Sequence, residues 1–318
     1  MSSEYAAGDT HSFSFATTDV SMTALMNAMH GDTVRWFVSS KGVEMSEHVS
    51  DSVTYYAHLP ATGKGFGITY KCTGPVCIAF NPHHMYIILK SHQQGDVCKW
   101  EFDARTPRFL LITIDCQGMG QAIHQWKLPL QTVDTEWYDA EPMEIEYFLA
   151  FESSDLSAVI QTFANIDKSA RAVQIRVGPE SIEFRHCTMT IRSSIMFNTA
   201  TQQGGPSIAE KQSGGTETPQ EEGGGVMSVA VDNEIVKGGK VRSTGRIVEH
   251  TYDLWQLQQI LKCFSISRGA VLMFVRKDCP LIMEIKVGTL GKLRVGVLFT
   301  MDEYDEAEFL VGASVLDY

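Results

Sequence analysis

No run of about 18 apolar residues occurs in the chain, so no membrane-spanning helix is expected. The first fifteen residues are polar and lack the basic-then-apolar layout of a signal peptide, so the protein is expected to stay in the cell that makes it. Positive charge is also scarce. Against 38 Asp and Glu there are only 26 Lys and Arg, a formal net charge of -12, which excludes general adhesion to nucleic acid and leaves any DNA contact local or topological. Disulfides are not expected either: the seven cysteines (72, 77, 98, 116, 187, 263 and 279) are scattered, odd in number and mostly set inside apolar runs, as suits buried thiols in a reducing compartment.

Catalytic signatures are missing as well. The chain has no GxxxxGK[ST] phosphate loop, GxSxG elbow, HExxH helix or GxGxxG after a strand, and Gly63-Lys64-Gly65-Phe66-Gly67 lacks the helix that a phosphate loop needs. Cys72 and Cys77 precede His83 and His84, residue types that bind zinc. Structural zinc, however, prefers a cysteine knuckle followed by a second pair, whereas Cys77 sits in the strand-like run 76–80 (VCIAF). No enzyme activity, metal or cofactor is expected.

What the chain does have is 44% apolar residues over 318 positions, enough for two cores, and an internal repeat. Met22, Leu25, Met26 and Met29 form the stripe of an amphipathic helix; Leu156, Val159, Ile160 and Phe163 repeat it 134 residues later (156 − 22). Trp36-Phe37-Val38, a turn, and Gly42-Val43-Glu44 parallel Ile175-Arg176-Val177, a turn, and Ser181-Ile182-Glu183 at 139 (175 − 36). A second unit recurs at 172: Ile87 to Lys90 matches Gln259 to Lys262, and the run from Phe109 matches that from Leu281 (281 − 109). The jump of 33 (172 − 139) is absorbed by an insertion near 198–245, whose stretch 201–225 is Gly-, Gln-, Glu-, Ser- and Thr-rich and reads as disordered. Residues 129–142 (PLQTVDTEWYDAEP) read as an extended connector between domains 1–128 and 143–318.

This duplicated order of four helices and many antiparallel strands resembles the sliding clamps of the proliferating cell nuclear antigen family. The stretch 34–59 is similar to the family's first hairpins, and Tyr70-Lys71-Cys72 followed by 81–90 to its Tyr-Arg-Cys strand and second helix. The segments 254–267, 270–275, Asp278-Cys279-Pro280-Leu281 and Gly291-Lys292-Leu293-Arg294 keep the order of its last helix and hairpins. An acidic tail at 302–308 follows, as it does in the family. The resemblance covers nearly the whole chain except 198–245 and the last ten residues, and its weight lies in collinearity. The chain looks like a divergent member, of viral type or otherwise.

The resemblance implies an α+β clamp fold: two similar domains, each of two helices packed on antiparallel sheets, in a pseudo-sixfold homotrimeric ring with helices lining the hole. It implies a processivity factor that encircles double-stranded DNA without reading sequence and tethers DNA polymerase, clamp loader and other clamp-binding-motif proteins, in the nucleus or in a viral replication compartment. Closure would pair strand 108–115 (Phe109, Leu111, Thr113) with strand 182–189 (Ile182, Phe184, His186) of the next subunit. Two alternatives share the fold: a subunit of a heterotrimeric checkpoint-type clamp, and a monomeric viral processivity factor.

The lumen departs from the family. Thr23, Ala24, Ala158 and Gln161 stand where relatives carry basic residues, which leaves Lys90, Lys262 and Arg268 as the DNA-facing cations, with His83, His84 and His92 as helpers when protonated. Lys237, Lys240, Arg242 and Arg246 form a basic cluster outside the matched region. Carried over, the partner-peptide pocket falls on Met45, Val49, Leu130, Val133, Trp137, Leu298 and Phe299, the last two replacing an Ala-Pro pair. The apolar end 309–318 (FLVGASVLDY) is expected either to cover that pocket or to extend the sheet.

Overall fold

The computed structural model describes residues 11–29, 31–50, 52–62, 64–66, 69–117, 122–132, 147–166, 171–178, 181–187, 192–198, 247–266, 269–277 and 279–299. The first half runs β1 (Ser12–Thr17), α1 (Ser21–Ala28), β2 (Val34–Ser39), β3 (Gly42–Ser50), β4 (Val53–Pro60), β5 (Lys71–Cys72), β6 (Val76–Phe80), α2 (Pro82–Leu89), β7 (Val97–Asp103), β8 (Phe109–Cys116) and β9 (Ala122–Pro129). The second runs β10 (Tyr147–Glu152), α3 (Ser153–Ile166), β11 (Ala172–Val177), β12 (Ser181–Cys187), β13 (Arg192–Asn198), β14 (Val248–Asp253), α4 (Leu254–Gln259), α5 (Leu261–Phe264), β15 (Ala270–Val275), β16 (Leu281–Val287) and β17 (Gly291–Val297). Large antiparallel sheets with few, short helices make this an α+β fold.

Local chemistry accounts for the elements. β1 and β4 alternate strictly between buried and half-exposed positions, the period of a half-buried strand. Met22, Leu25 and Met26 of α1 and Leu156, Val159, Ile160 and Phe163 of α3 are all buried, so both apolar stripes face the core. The Asn81 side chain caps α2 by accepting from the His84 amide, with Pro82 at the first turn, and Asp253 caps α4 by accepting from the Trp255 amide. The last helix breaks at Ile260 into α4 and α5.

The repeat holds at the level of register. Val38 pairs with Val43, and 139 residues on, Val177 pairs with Ile182. The order β6-β2-β3-β4 recurs as β14-β11-β12-β13, and β1-β7-β8-β9 recurs as β10-β15-β16-β17. These strands lie in a five-stranded sheet β5-β1-β7-β8-β9, a four-stranded sheet β13-β12-β11-β14 and an eight-stranded sheet β10-β15-β16-β17-β4-β3-β2-β6.

Two compact units emerge, divided near 139/140 inside the 129–142 segment. Unit 1 also takes Ile285–Val295, which sequence reading assigned to the second domain; Gly291–Val295 of β17 lies there beside β4. Its core gathers Phe15, Trp36, Phe66, Phe80 and Trp100, all fully buried, with Phe15 5.2 Å from Trp100 and Trp36 4.9 Å from Phe80 by ring centroids. The core of unit 2 is built on Phe151, Phe163, Phe184 and Tyr252.

The turn between β16 and β17 is tied to α1 within unit 1. Asp19 accepts from the Ser21 amide at 2.8 Å and from the Thr289 amide and hydroxyl, each at 2.6 Å. Gly288, at φ +47°, lets the chain pass there, since a Cβ would lie 2.1 Å from Ser21 Oγ. Partial burial pushes the Asp19 carboxyl up, but the hydrogen bonds from Ser21 and Thr289 outweigh it and hold it below the ordinary carboxylate range. The lowered folded pKa gives stability that is full above the unfolded carboxylate pKa, about 3.9, and is lost as pH falls through the folded value. Asp19→Asn is therefore expected to cost roughly 1 kcal/mol at neutral pH, discounted for exposure, and to flatten acid sensitivity below about pH 4 in urea titrations. An unchanged acid limb would show that the tie contributes nothing.

Candidate partner and nucleic-acid surfaces

The strands proposed for subunit pairing are interior. β8 is bonded to β7 and β9, and β12 to β11 and β13, so among the described residues neither β8 nor β12 offers a free edge. Ile182, Phe184 and His186 are buried, His186 Nδ1 sitting 3.0 Å from the Ala172 carbonyl oxygen, while Phe109 is 44% exposed on β8 with Leu111 and Thr113 half-buried. Among the described strands, the sheet edges next to β8 and β12 are β9 and β13.

Those edges contrast with their repeat counterparts. In β17 and β4, which are neighbours, the inward residues Leu293, Val295, Val297, Val53, Tyr55, Ala57 and Leu59 are all fully buried. In β9, Trp126 opposes buried Ile112 yet is 41% exposed; in β13, Ile195 and Phe197 are only half-buried. Among the described residues, two apolar edges thus stand without a neighbouring strand where the corresponding pair has one. The repeat leads to them by register: Leu59 of β4 opposes Val43 as Phe197 of β13 opposes Ile182, so the two strands correspond at an offset of 138 (197 − 59), one less than the hairpin before them.

Of the DNA-facing candidates, Lys90 is exposed just after α2, Lys262 is exposed on α5, and His83 and His84 are exposed on the first turn of α2. His92 is a correction: it is buried, with Nε2 3.2 Å from the Asp96 carbonyl oxygen, because the loop after α2 folds it inward. Thr23 instead donates to the Leu89 carbonyl, tying α1 to α2. Sequence reading missed two exposed apolar residues on these helices, Ile87 at 55% and Trp255 at 53%. Arg268 and the cluster Lys237, Lys240, Arg242 and Arg246 lie outside the described residues.

The residues carried over to the peptide pocket have different surroundings within their own units. Met45 is fully buried opposite Trp36 and belongs to the core, a second correction that follows from the alternation of β3. Val49 lines a polar cavity of about 540 Å³ with Arg35, His48 and Gln131. Leu130 is half-buried, its amide bonded to the Arg108 carbonyl, and Gln131 bridges to Ala79 at the edge of β6 and accepts from the Thr33 hydroxyl. In unit 2, Leu298 is 44% exposed and Phe299 stacks on His250 at 4.5 Å, which occupies the ring expected to receive a partner. Val133, Trp137 and the segment 309–318 lie outside the described residues.

Among the described residues no group of three His, Cys, Asp or Glu side chains is arranged to hold a metal. Cys72 Sγ donates to the Gly74 carbonyl at 3.0 Å, and burial pushes the Cys72 and Cys77 thiols up. No described helix is long and apolar enough to cross a membrane. No protein-family model matches the chain. A search of curated proteins likewise finds no match.

Proposed function

We propose that this chain is a DNA sliding clamp, a processivity factor whose copies join head to tail into a ring around duplex DNA. The observation that carries the reading is the pair of uncovered apolar edges, β9 and β13, whose repeat counterparts β17 and β4 are already paired. A chain that repeats one unit and pairs it internally through one end has a matching pair of ends left over. Two copies can join them by the same strand geometry, and a heterologous contact of this kind closes into a ring when the rotation allows. The seam in this proposal is β9 against β13, not the interior strands β8 and β12.

A ring that slides needs no base readout, and sparse cations suit it: Lys90 and Lys262, on repeat-related segments, give a hold on DNA that is topological with a shallow salt dependence. Polymerase and clamp loader are the partners this role calls for. The test is solution mass by light scattering, followed by retention on circular against linearised DNA after loading. A mass near three times 35.3 kDa, with retention lost on linearisation, supports the clamp. A species that stays at 35.3 kDa and gains mass only with two other chains moves the reading to a heterotrimeric clamp subunit, and a monomer that binds linear DNA directly moves it to a monomeric factor.

A further inference from the structure

We propose that the outward face of the five-stranded sheet in unit 1 is a docking groove for an extended acidic peptide of a partner protein. The peptide it fits carries carboxylates at both ends and an aromatic ring between them. The groove, of about 840 Å³, includes Phe109 and Leu111, the residues that sequence reading placed at a subunit seam. One row of cross-strand partners crosses it: Lys71 opposite Ser14, Ser14 opposite Glu101, Glu101 opposite Leu111 and Leu111 opposite Lys127. All five residues are exposed or half-exposed, on the face opposite to buried Phe15, Trp100 and Ile112. Joining β9 to a further strand extends the sheet at its edge and leaves this face open, so the proposal does not depend on ring formation.

The charges in the groove form a pattern. Lysines stand at the two ends of the row, four strand spacings or about 19 Å apart. The two carboxylates between them are already engaged, Glu101 by Lys99 at 2.7 Å and Asp103 by the Arg105 guanidinium, whose Nε lies 3.0 and 2.9 Å from the two carboxylate oxygens. Lys71, Arg108 and Lys127 form no ion pair with any described residue. In a chain of net charge -12, these three cations beside the 44%-exposed Phe109 ring are a local inversion of the surface.

That pattern selects the occupant. Carboxylates match the two ends, neutral polar residues suit the stretch over Glu101, and a ring over Phe109 and Leu111 gains burial and an aromatic partner. An extended peptide advances about 3.3 Å per residue, so the end carboxylates stand about six residues apart. Leu111 is one strand spacing, about 5 Å, from Lys127, which places the ring one or two residues from the carboxylate on that side. Arg108 directly precedes Phe109, so that end takes two carboxylates and the Lys71 end takes one. A nucleic acid is the poorer match, because it carries a phosphate at every nucleotide and sets negative charge over Glu101 and Asp103, a stretch that a peptide leaves neutral.

The experiment adds a labelled, end-blocked peptide, Glu-Ser-Ser-Ser-Phe-Glu-Glu, to the full chain and follows fluorescence anisotropy. Binding should saturate, weaken about tenfold in ~0.5 M salt and about tenfold in the double variant Arg108→Glu, Lys127→Glu, and weaken about threefold in Lys71→Glu. Replacing the peptide's Phe by Ser should cost about tenfold. The decisive control is the rearranged peptide Ser-Ser-Glu-Glu-Glu-Phe-Ser, of the same composition, which gathers its charge over the groove's own carboxylates and should bind about fivefold more weakly. It requires no change to the protein, so it holds even if a variant fails to fold. No saturable binding, equal affinity for the two peptides, or an equal loss in Lys41→Glu, an exposed lysine between β2 and β3, overturns the proposal. Displacement of the peptide by an equal concentration of a single-stranded oligonucleotide overturns it in favour of a nucleic-acid surface.

Discussion

Trp126→Glu is expected to fold as its parent does and yet remain at 35.3 kDa in light scattering at concentrations where the parent assembles. Trp126 lies on the inward face of the free edge strand β9, opposite Ile112, and is 41% exposed, so the isolated chain loses little when it is replaced. An assembled seam loses much more. Burying such a ring against a second copy makes it the type of residue whose truncation costs about 2 kcal/mol or more, and a carboxylate in the same place adds several kcal/mol of desolvation. The dissociation constant should rise by at least about 100-fold. Trp255→Glu serves as the control, because Trp255 is 53% exposed on the helix α4 and belongs to neither β9 nor β13, and its mass should not change. An assembly that tolerates Trp126→Glu would remove β9 from the seam.

How far the sequence could be read is clear from that residue. The helix stripes of α1 and α3 and the matched hairpins β2–β3 and β11–β12 were legible because a buried face writes its period directly into the chain, and because two copies of one pattern test each other. The edges were not legible by the same route. Which strand of a sheet lacks a neighbour depends on pairing in space, so the resemblance could place the seam on 108–115 and 182–189 until the ladders on both sides of β8 and β12 were seen. Met45 misled because alternation along β3 turns it inward, although the resemblance carried it, with Val49, onto a pocket wall. His92 misled because it follows α2 by only three residues, and the loop carries it into the core instead of along the helix face. Val133 and Trp137 were carried over from the family resemblance, and they lie outside the described residues.

Gly291→Ala is the complementary test, because it strikes the pairing from which the seam is reasoned. A Cβ at Gly291 would sit 2.1 Å from the His58 carbonyl oxygen and 3.0 Å from Leu59 Cα, both backbone atoms of β4 that cannot swing aside as a side chain can. Either β17 moves off β4 or the ladder distorts, at an expected cost of about 2–4 kcal/mol in urea unfolding followed in unit 1 by tryptophan fluorescence. Gly178→Ala is the matched control: its Cβ would come no closer than 3.8 Å to any atom, so the change should stay within about 0.5 kcal/mol. If the two variants are equally mild, β17 is not held against β4 as closely as the strand order requires. The covered pair would then no longer be a template for the uncovered one, and the head-to-tail seam between β9 and β13 would lose its physical basis even if the protein proved to be a trimer.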